Sequence, residues 1–135
     1  MNMNRRQFLG HAGENAAAAL LLSKGLRIIS RNWRWRRLEL DIVAEEGDTL
    51  IFVEVKTRSS TERGEPLQAV NAAKRSALTR AATAYLSKYN LWHKPCRFDL
   101  VSIVMQDDKP VAEHIAHAFD LSPFMGRRNA AWQPW

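Results

Sequence analysis

The sequence predicts an α/β fold in which a mixed central sheet is covered by helices, with elements in the order α-β-β-β-α-β-β. Three observations carry that expectation. An alanine- and leucine-rich stretch near the N-terminus has helical spacing. The apolar run from Leu50 to Val55, behind Gly47-Asp48, reads as the buried strand of a tight hairpin. A second helical stretch then separates this hairpin from two further strand-like runs. With 135 residues the chain fits one domain able to bury a core, expected over residues 1–121, with 122–135 as a loosely ordered tail.

The first element is expected to be an amphipathic helix from about Arg5 to Lys24, stopped by Gly25, with Phe8, Leu9, Ala12, Ala16, Ala19 and Leu20 as its apolar stripe. Its opening, Asn4-Arg5-Arg6-Gln7-Phe8-Leu9, resembles a twin-arginine export signal. His11 and Glu14 interrupt the stretch that such a signal needs uncharged, so the helix is the better reading. Glu14, by position alone, is an exposed helix glutamate. Leu26 to Trp35 reads as a first strand running into a basic, aromatic connection. There Arg31, Arg34, Arg36 and Arg37 interleave with Trp33 and Trp35. Such a pattern suits phosphate binding and base stacking, and equally a strand with tryptophans in the core and arginines in solvent.

The hairpin that follows organises the chain. Glycine at the first position of Gly47-Asp48 supplies the positive φ of a type II′ turn. Closing that loop with Glu46 and Thr49 sets Asp41 opposite Glu54 and Glu39 opposite Lys56, with Ile51, Val53 and Val55 on the other face. Facing carboxylates in an apolar sheet repel and call for a cation. Oxygen donors favour magnesium or manganese, and an adjacent lysine suits phosphodiester hydrolysis, where it can orient a water. The plain alternative is a Glu39–Lys56 salt bridge beside a solvated acidic edge. Glu54 argues against it, because this carboxylate interrupts the run Leu-Ile-Phe-Val-Glu-Val of a central strand.

Ser59 to Glu65 is a polar connection. Pro66 fits the first turn of a helix reaching Tyr89, with Leu67, Val70, Ala77, Leu78, Ala81, Tyr85 and Leu86 inward. Its early polar residues, including Gln68 and Lys74, are placed to approach the end of the Glu54 strand. Arg97 to Val104 is a fourth strand, Gln106 to Pro110 a polar turn, and Val111 to Phe119 a last strand. On that strand the spacing of His114 and His117 puts them on opposite faces, so they receive no role. The tail from Arg127 to Trp135 can pack on the domain or mediate self-association. One cysteine, Cys96, excludes an internal disulfide and a thiolate zinc cluster; the expectation is a packed thiol in a cytoplasmic protein. Twenty Lys plus Arg against fourteen Asp plus Glu, a formal charge of +6, favours polyanionic partners. No run approaches the roughly 18 apolar residues of a membrane span, so no membrane partner is expected.

Taken in order, Gly13-Glu14, Asn32, Glu39-Leu40-Asp41, Phe52-Val53-Glu54-Val55-Lys56-Thr57-Arg58, Gly64, Ala69-Val70, Lys74 and Arg97-Phe98-Asp99 resemble the landmarks of the YraN-type uncharacterised bacterial protein family, over roughly Arg5 to Leu121. That family in turn resembles the restriction-endonuclease-like PD-(D/E)XK nucleases, among them the archaeal Holliday junction resolvases. The resemblance implies a restriction-endonuclease-like sheet and a magnesium- or manganese-dependent endonuclease acting on DNA, possible branched substrates included. Catalytic residues would be Asp41, Glu54 and Lys56. The metal would be held by Asp41, Glu54, the Val55 carbonyl and the first-helix acid Glu14. Gln68 and Lys74 would be secondary site residues; the register adds Glu39 to them, and the charge pattern itself assigns Arg34, Arg36, Arg37 and Arg58 to the nucleic-acid backbone. One position departs from the pattern: the family usually has glycine where this chain has Leu38, beside Glu39. Resolving a junction takes two active sites, which implies a homodimer. The reading from another class is a non-catalytic nucleic-acid-binding or adaptor protein on the same scaffold.

Overall fold

The computed structural model describes residues 5–59 and 70–119. Five strands form one mixed sheet in the order β1-β2-β3-β4-β5: β1 Arg27–Trp35, β2 Leu38–Glu46, β3 Thr49–Ser59, β4 Cys96–Gln106 and β5 Lys109–Ile115. Helix α1 (Arg5–Ser23) precedes the sheet, and α2 (Ala72–Tyr89) lies in the crossover between β3 and β4, the sheet's parallel pair. All other neighbours are antiparallel. A parallel pair cannot be closed by a hairpin, which is why a helix is found at this connection.

Each helix covers one face. Ala17, Ala18 and Leu21 of α1 pack on Ile42, Ala44, Ile51, Val53, Val101 and Ile103. Leu78, Ala81, Ala82, Tyr85 and Leu86 of α2 pack on Val43, Leu50, Phe52, Phe98 and Leu100, with Phe52 stacked on Phe98. The inward face of α1 is therefore only in part the expected one: Ala16 and Leu20 pack against this core while partly buried, Ala19 is exposed, and the side chains of Phe8 and Leu9 lie outside the described residues. From Ala16 to Leu22 every residue is apolar, so spacing alone cannot choose a face. Gly13 chooses it. A Cβ there would stand 2.1 Å from the Thr57 hydroxyl, so only glycine lets the helix seat on β3 at this point. Gly25 ends α1 as expected, at φ 87. Its N–H bonds the Leu22 carbonyl and that of Leu26 the Leu21 carbonyl, while Leu21 and Leu26 share the core.

The described part of α2 starts at Ala72, where Asn71 caps it by accepting the Lys74 N–H at 2.9 Å. Val70 is buried ahead of the helix rather than in it. Pro66, Leu67 and Gln68, like the tail from 120 onward, lie outside the described residues.

The hairpin register is the expected one, with Glu46 opposite Thr49 and Ile42 opposite Val53, and of the two turn residues only Gly47 has positive φ. The expected pairing fails beyond that point. The β2–β3 ladder stops at Ile42–Val53, so neither Asp41–Glu54 nor Glu39–Lys56 is a ladder pair; Glu39 pairs with Arg34 on β1 instead. The cause lies at Asn32 and Asp41. Asn32 takes a left-handed φ of 53, and face alternation breaks there: Arg31 reaches α1 while Trp33 enters the α2 core. On β2, Leu40 and Ile42, two apart, likewise fall in different cores. The last strand also differs. Asp107 and Asp108, both at positive φ, make a two-residue turn, so β5 begins at Lys109 and ends at Ile115. His117 lies beyond the strand, at φ 52.

Candidate active site

The gap where β2 parts from β3 is the centre of the site. Asp41 turns its carboxylate into the gap and accepts the Val55 N–H at 2.8 Å, replacing a ladder bond with a side-chain one. Glu54, the preceding residue on β3, is 8% exposed and hydrogen-bonds to Asp41. Burial, and then the charge of Asp41, push the Glu54 carboxyl up to about 8, against a partial offset from Lys74. Lys74 reaches in from the first turn of α2, with Nζ 3.5 Å from Glu54 Oε2. Glu54 therefore keeps its proton through neutral pH, and a divalent cation is the natural replacement for that proton. Two carboxylate groups with the Val55 main chain beside them form an all-oxygen donor set that suits magnesium or manganese.

Lys56 lies two residues beyond Glu54 on the same face of β3, exposed, opposite the buried Ser102 of β4. Arg58 follows on that face, half-buried. Glu14 is delivered to the neighbourhood by the Gly13–Thr57 contact, but it is held by other partners. Arg31 bonds it at 3.0 Å and Asn32 at 2.8 Å, and Arg31 also bonds Asn15. Among the described residues no group of three or more His, Cys, Asp or Glu side chains is placed to hold a metal ion. Glu39 stands apart from the acid pair, exposed, 3.7 Å from Arg34. Arg34, Arg36 and Arg37 lie at the β1–β2 hairpin tip, all exposed. Gln68 lies outside the described residues.

The alternation of tryptophan and arginine thus splits. Trp33 is core, edge-on to Tyr85 and donating to the Tyr89 hydroxyl at 3.2 Å, whereas Trp35 is exposed. Sequence reasoning gave no part to Asn71, which places Lys74, or to a second buried acid, Asp99. Asp99 accepts from Arg97, from His114 Nε2 at 2.7 Å and from the His117 N–H at 3.1 Å. A signal for Asp99 was present, since it interrupts an apolar strand just as Glu54 does. Cys96 is a packed thiol, pushed up to about 12 by burial, hence a poor nucleophile. Among the described residues no helix is long and apolar enough to cross a membrane.

Comparison with known proteins identifies similar chains. The model of the uncharacterised protein family UPF0102 matches residues 13–103, a span that holds Glu14, Asp41, Glu54, Lys56 and Lys74. A UPF0102 protein of Nitratidesulfovibrio vulgaris strain DP4 is 47% identical over 133 residues, covering 98% of this chain and 99% of the relative. One of Oleidesulfovibrio alaskensis is 34% identical, covering 93% and 92%, and one of Chlorobium phaeobacteroides is 47% identical, covering 82% and 93%.

Proposed function

The chain belongs to the uncharacterised protein family UPF0102, and on that footing we propose that it is a magnesium- or manganese-dependent nuclease hydrolysing phosphodiester bonds in DNA, branched or junction DNA included. The observation that carries the reading is the buried Glu54 against Asp41, an acid pair that costs the fold stability and is relieved by a cation. When bound there by Asp41, Glu54 and the Val55 carbonyl, the metal would supply positive charge to polarise the phosphodiester and acidify a water. The chain's own groups do the rest. Asp41 and Glu54 fix the donor geometry from two strands whose register is set by a tight turn. Lys56, on the exposed continuation of the Glu54 strand, orients the attacking water and offsets charge on the scissile phosphate. Lys74, with Nζ 3.5 Å from Glu54, stands where it can also reach a phosphate oxygen. Arg34, Arg36, Arg37 and Arg58 bind the backbone on either side. Glu14 shapes the site from α1 through Arg31 and Asn32. Two-strand cleavage would be done by a homodimer, in the cytoplasm.

The test is cleavage of duplex, single-stranded and four-way-junction DNA with magnesium, by wild type and by Asp41→Asn, Glu54→Gln and Lys56→Ala, with titration calorimetry of the metal alone. Each variant should remain folded and lose cleavage by at least about a hundredfold, and Asp41→Asn should also lose metal binding. Metal-dependent cleavage retained in all three overturns the assignment. DNA affinity that is salt-sensitive, yet indifferent to magnesium and to Asp41→Asn, would identify a non-catalytic binding protein instead.

A further inference from the structure

The β1–β2 hairpin tip carries an aromatic ring that stands outside the core. Trp35, the last residue of β1, is 40% exposed, while Trp33 two residues earlier is buried and hydrogen-bonded. Trp35 pairs with Leu38 across the two-residue turn Arg36-Arg37. Arg36 adopts a left-handed φ of 58, uncommon for a residue with a side chain, and its guanidinium lies over the indole, 4.4 Å from the ring centroid. Arg34 beside it is 69% exposed. The tip therefore presents a partly exposed indole with one guanidinium over it and two further exposed arginines, Arg34 and Arg37, with Glu39 the acid paired to Arg34.

From this arrangement we infer that Trp35 is a stacking platform for an unpaired nucleobase, and that the strand bound at the site is single-stranded or frayed where it passes the tip. The inference rests on the nucleic-acid reading of the same site and narrows its substrate. In an intact duplex the base faces are covered by their neighbours; phosphates and groove edges are offered, and the face of an indole has nothing there to stack on. An unpaired base exposes its whole face, and any base will do, so the contact is tolerant of sequence. The geometry couples this platform to the acids. Leu38, opposite Trp35, is three residues from Asp41, about 10 Å along the strand. A strand whose phosphate reaches Asp41 and Glu54 thus carries a neighbouring base past Trp35, while Arg34, Arg36 and Arg37 take the phosphates between.

The experiment measures binding alone, in EDTA, by fluorescence anisotropy of labelled oligothymidylate and of a blunt duplex of equal length, with full-length wild type, Trp35→Ala and Trp35→Phe. Trp35→Ala should weaken oligothymidylate binding about tenfold, Trp35→Phe should recover most of it, and duplex binding should stay unchanged. Equal losses on both probes, or none on either, overturn the inference. So does a Trp35→Ala protein whose sedimentation shows altered self-association while its oligothymidylate affinity is intact. Because no cleavage is read, failure of the nuclease reading is separable. Selective loss on oligothymidylate, with wild type inert toward every DNA in magnesium, would leave this inference standing and remove that one.

Discussion

Glu54 and Asp99 are both buried acids on adjacent parallel strands, Asp99 standing opposite Val53, yet they live on opposite faces of the sheet and in opposite conditions. Asp99 is fully buried and fully supplied. Arg97 bonds it from the same strand, His114 reaches it from β5, and the His117 N–H closes the set. His114 in turn meets Lys24, in the turn that follows α1, through its other ring nitrogen at 3.0 Å, so one carboxylate ties that turn to β4 and β5. Among the described residues, Glu54 faces another acid, Asp41, and has the half-exposed Lys74 at 3.5 Å. The first arrangement is what a fold needs to tolerate a buried charge; the second leaves an acid short of positive charge, as a site awaiting a ligand does.

The sharpest way to break this comparison is to remove each acid in turn. Asp99→Ala leaves the Arg97 guanidinium and His114 without their shared partner in a closed environment, and should cost about 3–5 kcal/mol. Urea unfolding reads it as a lower midpoint. Glu54→Gln removes the cost of holding a proton that the unfolded chain releases, and its stability at neutral pH should equal or exceed that of wild type. Similar losses in the two variants would mean that both acids are structural.

A smaller effect sharpens the same contrast by pH. Glu54 has a folded-state value of about 8 against the ordinary 4.5, so between those values the folded chain holds a proton that the unfolded chain has released. Its contribution to stability is complete below about 4.5 and is lost as pH climbs through 8. The expected fall across the window is on the order of 2 kcal/mol, the rim being open to water beside Lys74. Unfolding curves of wild type minus those of Glu54→Gln isolate it from the histidines. Magnesium should flatten the difference, since a cation that replaces the proton removes the reason for holding one. A difference curve that is flat without magnesium would show that Glu54 is not held protonated.

How much of this the sequence could tell follows from where each feature's cause lies. The hairpin and its register were legible because one glycine and strict alternation specify them locally. The alternation then broke at Asn32, where a single left-handed residue reverses the faces, and no periodicity announces that; hence Glu39 was expected beside Lys56 and stands beside Arg34. The face of α1 was hidden because its apolar residues surround it, and the deciding contact, Gly13 on Thr57, joins residues far apart in the chain. Asp41, Glu54 and Lys56 were legible as charges placed where a central strand has no use for them. Asp99 carried the same signal, but its partner His114 comes from another strand. The spacing of His114 and His117 misled, because the chain turns after Ile115 and His117 contributes its backbone N–H rather than its ring.

The finest test concerns the cation that Glu54 does have. Lys74 is positioned by the cap of α2, where Asn71 accepts the Lys74 N–H and sets the first turn. Asn71→Ala removes that acceptor and should cost about 1 kcal/mol, with Asn71→Ser retaining most of it. The cap matters to the site only if loosening the first turn also loosens the Lys74–Glu54 contact. Lys74 holds the Glu54 carboxyl down against burial and Asp41, so in Asn71→Ala the carboxyl should titrate above about 8, as read by carboxyl-carbon NMR, and return in Asn71→Ser. If stability falls while the titration stays put, Lys74 finds Glu54 whether or not the turn is capped. The shortage of positive charge at the acid pair would then be set by β2 and β3 alone.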